Sequence, residues 1–365
     1  MDITNRIIPK FANNQKDFSQ VLRKRVNEYF TTKNISTDAD LKMVLKTSFY
    51  LCLWIGSYAI LMTQELTMIQ LWAVWSFLGF SFAACAVNVG HDSIHGSYSK
   101  NKTLNRLLSL TFDLNGASSY MWSLMHNVAH HTYTNIVNHD EDVHPAPIIR
   151  VSPEAEYLPI HKNQYWYCFF LYPLATISWS FKKDYVKFFS NTVANYNNRK
   201  HPKSELFALF FFKFLHYTLF IILPFIVIEA PIWQKIIGYL LCNFVAGMYL
   251  ALIFMLAHAV EKVEFPTQDE TGMTENNWFI HQLKTTANFA TDSKIAAFLS
   301  GGLNQQVEHH LFPNICSTHY PAIASIVRNT AKEFDVAYHE YPTFWQALRS
   351  HARFMKKMSI NPVTA

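Results

Sequence analysis

The sequence predicts an all-α integral membrane protein with four transmembrane helices in two hairpins and a cytoplasmic helical cap that carries a metal site. Half of the 365 residues are hydrophobic and 16% are charged, against about 25% charged in an ordinary soluble domain. Four segments contain the roughly 20 apolar residues that a spanning helix needs. The mean hydropathy of only +0.03 indicates that much of the chain lies outside the bilayer core.

The four apolar segments come in two pairs, which predicts their topology. They cover residues 44–64, 66–89, 206–228 and 233–257. The first pair turns at Glu65 and the second at Glu229-Ala230-Pro231, so each pair leaves and returns on one side of the bilayer. The turns hold little positive charge beyond Lys235, whereas basic residues flank the open ends: Lys42, Lys46, Lys100, Lys102, Arg106, Lys203 and Lys262. The positive-inside rule then predicts that both termini and the 90–205 loop are cytoplasmic.

The segments around this membrane domain are also predicted from pattern. Residues 1–43 form a cytoplasmic N-terminal segment, residues 44–345 the membrane domain and residues 346–365 a C-terminal tail. In "FSQVLRKRVNEYF", apolar residues recur at helical spacing with basic residues between them. This pattern predicts either a basic helix at the membrane interface or a surface helix packed on the domain. The net charge of +5 fits the topology and requires no nucleic-acid partner.

Two shorter apolar stretches are predicted to be interfacial or re-entrant. Residues 165–181 are short for a span and are broken by Pro173, and residues 107–124 contain Asp113 and Asn115, which are costly at bilayer depth. If residues 165–181 crossed the membrane, His258 and the histidines after it would lie across the bilayer from those before it. A common histidine site therefore requires four spans.

Eight of the 17 histidines fall into four places along the chain. They are His91 and His95 in "HDSIH", His126, His130 and His131 in "HNVAHH", His258 in "MLAHAVE", and His309 and His310 in "QVEHH". The i, i+4 spacing predicts that His91 and His95 share a helical face, and His126 and His130 likewise, with His131 on the next face. Gln306 lies on the same side of its helix as His309 and His310. The predicted topology brings all four places to one membrane surface.

So many imidazoles predict more than one metal ion. Neutral imidazole suits iron, zinc, copper and nickel, and eight histidines with an amide exceed the four ligands of a closed zinc site. We expect two metal ions that divide the adjacent pairs, with His130 and His131 on different ions and His309 and His310 likewise. A lone HxxxH on a helix is more often an ordinary surface or core feature, but three clusters plus His258 are not explained in that way.

These motifs resemble the three histidine boxes of the membrane fatty acyl desaturases. "HHTYTNI" and "EHHLFP" are similar to the sequences around the second and third boxes in that family, and the resemblance covers about residues 50 to 345. The glutamine that opens the third box marks the front-end subgroup, which adds a double bond between an existing one and the carboxyl end. The resemblance implies that two non-haem irons are held by nine residues: His91, His95, His126, His130, His131, His258, Gln306, His309 and His310.

The resemblance also implies a reaction and its partners. Two hydrogens leave adjacent methylenes of an acyl-CoA or acyl-lipid chain, and O2 is reduced to water with two electrons from the substrate and two from a carrier. Many front-end members carry a fused cytochrome b5 domain with an HPGG motif. This chain contains no HPGG, since His201-Pro202 is followed by Lys203. We therefore expect electrons from a separate carrier of the cytochrome b5 or ferredoxin type.

Two other functions compete with this one. A related di-iron hydroxylase or a sphingolipid-type desaturase would have similar boxes, and a histidine-rich metal transporter would bind similar ions. A transporter should hold its ligands near the middle of the bilayer, whereas these histidines lie at the ends of the spans and beyond. Five acidic residues near the boxes are candidates to orient the histidine rings: Asp92, Asp140, Glu141, Asp142 and Glu308.

Overall fold

A computed structural model of the chain, which describes residues 7–141, 147–197 and 199–362, is mainly helical. The helices of the first half are α1 (Lys16–Lys33), α2 (Leu41–Thr63), α3 (Met68–Ile94), α4 (Lys102–Leu114), α5 (Ser119–Ser123), α6 (His131–Tyr133), α7 (Gln164–Leu171), α8 (Leu174–Ser178) and α9 (Asp184–Phe188). Those of the second half are α10 (Lys203–Val227), α11 (Ile232–His258), α12 (Trp278–Thr285), α13 (Lys294–Leu299), α14 (Gln306–Leu311), α15 (Tyr320–Glu333) and α16 (Phe344–Met358).

Several shorter elements complete the description. Segments of π-helix cover Ala86–Gly90, Leu124–His130, Trp179–Lys183 and Thr218–Ile222, and 3-10 turns cover Pro159–Asn163 and Ser317–His319. Strands β1 (Thr192–Val193) and β2 (Tyr196–Asn197) pair antiparallel, while β3 (Ala287–Phe289) and β4 (His339–Tyr341) pair parallel. These two small sheets are an addition to the all-α prediction.

Four helices in the described part of the chain are long and apolar enough to cross a membrane. They are α2, α3, α10 and α11, and they coincide with the four predicted segments. The largest difference is at the end of α3, which continues to Ile94 rather than stopping at residue 89. His91 therefore lies in the last turn of the second spanning helix, and His258 is the last residue of the fourth.

The spanning helices divide into an inner and an outer pair. Of the most apolar part of α3, 72% is buried in the protein, and of α11 50%, compared with 28% for α2 and 22% for α10. Glycines allow α3 and α11 to approach closely, since a Cβ at Gly79 would overlap the carbonyl oxygen of Cys242 and one at Gly238 would overlap the Trp75 ring. Small residues at such contacts are typical of membrane helix packing. Both inner helices end at histidines of the candidate site.

The two shorter apolar stretches do not form long helices. In the first, α7 ends at Leu171 and α8 begins at Leu174, so the helix is interrupted at Pro173, which lacks a backbone N–H. In the second, α4 ends at Leu114 and Gly116 adopts a φ of +86°, a left-handed conformation that favours glycine. Their location at or in the membrane interface remains a prediction.

The apolar face of α1 is covered by protein. Phe18, Leu22, Val26 and Phe30 are buried in one cluster with residues of α12, α14 and α15, and Arg25 forms an ion pair of 2.7 Å with Glu333. Of the two structures predicted for this segment, the packed surface helix therefore fits. The apolar face that an interfacial helix would insert into lipid is instead buried against the protein.

The C-terminal residues form a helix that packs on the domain. In α16, Phe354, Met355 and Met358 are buried with residues of α7 and α11. His351 donates from Nδ1 to the carbonyl oxygen of Ala259 at 2.7 Å. Most of the predicted tail thus packs against the end of the fourth spanning helix.

Candidate metal centre

The structure brings all nine predicted site residues together where α3 and α11 end. Eight of the nine are buried, and His95 is partly buried. Ring centroids of His91 and His309 are 4.6 Å apart, those of His95 and His131 4.7 Å, and those of His130 and His258 4.6 Å. Residues more than 200 positions apart in the chain thus form one cluster.

The cluster contains two groups of side chains that could each hold a metal ion. The first group is His91, His95, His126 and His309, and the second is His130, His258 and His310; within each group the ligand atoms lie within 4.8 Å of one another. The adjacent pair His309 and His310 is divided between the groups, as the two-ion prediction requires. His131 lies between them, with its ring stacked on His310 at 4.3 Å and its Nε2 3.1 Å from Nε2 of His126.

The second histidine box owes its geometry to a π-helix. Sequence spacing placed His126 with His130 on one α-helical face. In the π-helical segment Leu124–His130 the His131 N–H donates to the carbonyl oxygen of His126, because a π-helix pairs residues five apart. His126 lies against both following histidines: its ring stacks on that of His130 at 5.1 Å, as the i, i+4 spacing predicts, and lies 4.7 Å from that of His131. His130 nevertheless belongs to the other group. The predicted contact of His126 with His130 is thus present, and the contact with His131 is an addition to it.

Protein groups hold the outward nitrogen of several rings. His130 Nδ1–H donates to Asp140 Oδ2 at 2.9 Å, and His310 Nδ1–H donates to Gln282 Oε1 at 2.8 Å. His309 Nδ1 is hydrogen-bonded to the Tyr320 hydroxyl at 3.1 Å. Such contacts fix the orientation of a metal-binding imidazole and leave the opposite nitrogen directed into the site.

The five acidic residues that were predicted to orient the histidine rings make different contacts. Asp140 contacts a ring directly, while Asp92 accepts hydrogen bonds from the N–H and hydroxyl of Ser317 and its Oδ1 stays 3.6 Å from His91 Nδ1. Glu308 turns away from the histidines to Asn288 and Tyr338, and burial raises the pKa of its carboxyl to about 7. Glu141 pairs with Lys187 at 2.9 Å. Asp142 lies outside the described residues.

Gln282 and Tyr320 were missed by sequence reasoning. A single glutamine 28 residues before His310 and a single tyrosine 11 residues after His309 belong to no spacing pattern. Gln282 also donates from Nε2 to the carbonyl oxygen of His131 at 3.1 Å. Only the packing of α12 and α15 against α14 identifies these contacts.

Several buried nitrogens of the cluster have no hydrogen-bond partner within the described residues. They include both ring nitrogens of His91, Nδ1 of His131, and Nε2 of His95, His309 and His310. Buried polar atoms are normally paired, so a bound cation would supply the missing partner. Burial lowers the pKa of His131, His309 and His310 well below the ordinary value, which keeps these rings in the neutral form that binds metal. The residues present fit a pair of metal ions.

Gln306 faces the site and is fully buried. Its Nε2 lies 3.1 Å from Nε2 of His258, and its Oε1 has no hydrogen-bond partner among the residues described. Rotating the amide by 180° would exchange these two atoms, so either orientation places the amide against the second group. Gln306 is therefore not a polar residue that faces solvent.

An apolar cavity adjoins the first group. It lies between the inner spanning helices and the 112–122 and 176–179 segments. Phe82 and Val87 of α3 and Leu250 and Phe254 of α11 line it, and His91 forms part of its wall. The cavity thus connects hydrophobic space inside the protein with the histidine cluster.

Comparison with known proteins identifies relatives over nearly the whole chain. Residues 69–342 match the model of the family described as fatty acid desaturase. An "sn-1 linoleoyl-lipid 6-desaturase" of Arthrospira platensis is 37% identical over 95% of this chain and 94% of its own length, and a protein of the same description from Synechocystis is 37% identical over 94% and 96%. An "Acyl-lipid (8-3)-desaturase" of Physcomitrium patens is 35% identical over 94% of this chain and 72% of its own.

Proposed function

The chain belongs to the fatty acid desaturase family, and from this premise we propose that it inserts a double bond into a polyunsaturated acyl lipid at a di-iron centre. It is a membrane enzyme of that family. The observation that carries the proposal is the position of His91, which lines the apolar cavity and also belongs to the first histidine group. An acyl chain in the cavity would lie directly beside the metal ligands.

Nine side chains would hold the two irons. His91, His95, His126 and His309 surround the first position, His130, His258 and His310 surround the second, and His131 and Gln306 complete the set. When bound, the irons supply the activation of O2 that removes two hydrogens from adjacent methylenes and reduces O2 to water. Imidazole suits iron, and the neutral state of the buried rings favours binding.

The remaining task of the protein is to position the chain. Apolar walls from α3 and α11 exclude water and bind the methylenes, so that only one pair of carbons reaches the ligands. Orientation of this kind contributes much of the rate in enzymes that hold a reactant beside a reactive group. The aromatic residues Trp122 and Trp179 also line the cavity.

The relatives support a polyunsaturated acyl lipid as the substrate. Two of them are described as acting on linoleoyl lipid at position 6 and others on acyl lipids as (8-3)-desaturases. We propose that this enzyme likewise adds its double bond on the carboxyl side of an existing one. Gln306 at the opening of the third box is the sequence feature that agrees with this front-end reaction.

We propose that the spanning helices form two hairpins and that both termini and the metal site face the cytoplasm. Only four residues separate α2 from α3 and four separate α10 from α11, and the basic residues flank the opposite ends of these helices. Electrons would then come from a separate cytoplasmic carrier of the cytochrome b5 or ferredoxin type. A protease or cysteine-labelling assay on intact vesicles tests the orientation.

The test of the function is expression in a host that makes linoleoyl lipids but no further unsaturated product. We expect a new polyunsaturated acid whose added double bond lies toward the carboxyl end, and purified protein with two irons per chain. Intact lipids and acyl-CoA are analysed separately to identify the carrier of the product. No new acid from any polyunsaturated lipid, with iron present, would contradict the proposal.

The alternatives give different products. A hydroxylase adds one oxygen atom to the chain, whereas a desaturase removes two hydrogens, and mass spectrometry separates these outcomes. A sphingolipid-type desaturase would leave the glycerolipid acids unchanged. A transporter is disfavoured by the location of His91 and His258 in the final turns of α3 and α11, since transport sites lie near the middle of the membrane.

A further inference from the structure

A buried ion pair outside the histidine groups joins the third spanning helix, α10, to the first residue of α9. Lys213 of α10 lies 2.8 Å from Oδ2 of Asp184, and the two side chains are 3% and 2% exposed. Removing such charges from water is costly unless both are fully paired. An ionisable residue in a spanning helix therefore indicates a specific role.

The pair ties together two segments that are distant in sequence. Lys213 Nζ also donates to the carbonyl oxygens of Gly116 and Trp179, at 2.7 and 2.6 Å. Asp184 Oδ2 accepts the N–H of Ser118 at 2.7 Å. All three ammonium hydrogens are used, and each bond ends on residues 114–118 or on residues 179–184.

The neighbouring turn of α10 reinforces this attachment. His216 Nδ1 is hydrogen-bonded to the carbonyl oxygen of Leu114 at 3.0 Å. A Cβ on Gly116 would lie 2.5 Å from Ser180 Oγ and 2.7 Å from His216 Nε2. The two segments and α10 are therefore in close contact at Gly116.

These segments form a wall of the apolar cavity beside His91. Asn115, Ala117 and Trp179 line it, whereas α10 contributes none of the lining residues that the structure describes. The ion pair thus lies behind the wall and touches the cavity only through the backbone it holds.

We propose that the Lys213–Asp184 ion pair is a positioning device that fixes this wall and thereby selects which carbons of the acyl chain face the histidines. The proposal rests on the proposed function. If the wall moves, the chain settles at a different depth, and the double bond appears at a different position. Lys213 and Asp184 act through the wall and do not touch the chain.

The experiment compares Lys213→Met and Asp184→Asn with a matched control, Lys235→Met. Lys235 is also a buried lysine in a spanning helix, but its Nζ donates to the carbonyl oxygen of Phe225 at 2.8 Å, far from the wall in sequence and contact. Lys213→Met keeps an unbranched side chain of similar length, and Asp184→Asn keeps an acceptor for Ser118. Each protein is measured for double-bond position in the product, for bound iron, and for hydrogen–deuterium exchange of residues 114–122 and 176–184.

We expect both wall variants to make positional isomers that the parent does not make, and to form the parental product up to about 10²-fold more slowly. Exchange in the two wall segments should rise, bound iron should equal that of the parent, and Lys235→Met should match the parent in isomer ratio. If Lys213→Met fails to fold, the proposal is tested with Asp184→Asn alone. A folded wall variant with the parental isomer ratio would overturn the proposal, as would the same isomers from Lys235→Met. A parent that makes no product at all would instead refute the proposed function.

Discussion

Two sets of buried histidines in this protein differ in what their ring nitrogens contact. His351 uses both nitrogens within the protein, since Nδ1 donates to Ala259 at 2.7 Å and Nε2 is hydrogen-bonded to the Tyr172 hydroxyl at 2.9 Å. His161 likewise uses both, contacting Leu158 and Pro147. In the cluster, His309 and His310 use only Nδ1 and leave Nε2 directed at other histidines. A ring with both nitrogens occupied supports the fold, and a ring with one occupied can bind metal.

His281 shows that one unoccupied nitrogen is insufficient. Its ring is 1% exposed, and its Nε2 has no hydrogen-bond partner among the described residues. However, it packs edge-on against Phe11 at 5.1 Å and belongs to neither histidine group. Convergence of several rings is thus the second requirement for a ligand, and the comparison yields predictions that differ for the two sets.

The largest effect is expected from removing a ligand of either group. His95→Ala and His130→Ala should each lower bound iron and abolish desaturation, because the missing imidazole cannot be replaced by its neighbours. The protein should still insert into the membrane. Metal analysis and product analysis on the same purified samples check this. Zinc alone in the parent, with iron-loaded protein inert toward O2 under reduction, would contradict the assignment.

Gln306 tests whether an amide belongs with the ligating set. Gln306→Ala should abolish or severely reduce desaturation, and Gln306→Glu should change iron affinity because it adds an anionic donor beside His258. Both variants are assayed for product and iron together with the parent. Near-parental activity of Gln306→Ala would remove the glutamine from the site and leave His309 and His310 as the only ligands from α14.

Asp140 tests the outward hydrogen bonds that distinguish the cluster. Asp140→Asn should weaken iron binding by about 10–100-fold, the usual effect of losing a partner that orients a ligand. Glu141→Gln is the matched control, since this neighbouring carboxylate pairs with Lys187 instead of a histidine. Chelator competition measures the affinity. Equal iron affinity in the two variants would mean that Asp140 does not orient His130.

His351 should behave in the opposite way to the cluster. His351→Ala leaves the Tyr172 hydroxyl and the Ala259 carbonyl without their partner, which lowers the free energy of unfolding by roughly 1–3 kcal/mol for each group left buried and unpaired. Bound iron per folded chain should not change. The thermal unfolding of the variant in detergent and its metal content are compared with those of the parent. A loss of iron without a loss of stability would mean that His351 is a metal ligand and not a residue that supports the fold.

The smallest effect is expected at His281. His281→Phe should keep two irons and the parental product, because the ring contributes packing against Phe11 and no ligand. Iron content of the purified variant is the measurement. A clear loss of iron would show that the convergence criterion is too narrow and that a further imidazole belongs to the site.

Sequence predicted the spanning helices and the three histidine clusters because both signals are local, and the resemblance to the desaturases implied His258 and Gln306 as further ligands. A run of apolar residues and a fixed histidine spacing are visible without any tertiary contact. The end of α3 was placed too early because His91 and Asp92 mark the edge of the apolar run, while the helix continues through them. The approximate bounds of all four spans were nevertheless predicted correctly.

Other features depend on contacts that sequence spacing does not contain. The π-helix at the second box is a choice of backbone hydrogen bonds, so the contact of His126 with His131, at 4.7 Å between ring centroids, was not predicted. Tyr320 and Gln282 reach the rings from helices far along the chain, and Glu308 turns to Asn288 although it adjoins His309. The apolar residues of α1 fit a membrane surface as well as they fit the protein, and only packing decides between these locations.

The packing of α1 also sets an order of assembly in time. Helix α1 buries Phe18 and Phe30 against Phe334 and His319, which are made about 300 residues later in synthesis. At roughly 5–20 residues per second, this apolar face waits tens of seconds for its partners. The third histidine box also emerges late, just before α15. The centre therefore cannot be completed until His310 has been made, and a nascent chain stalled before α15 would present a partly uncovered apolar helix to chaperones.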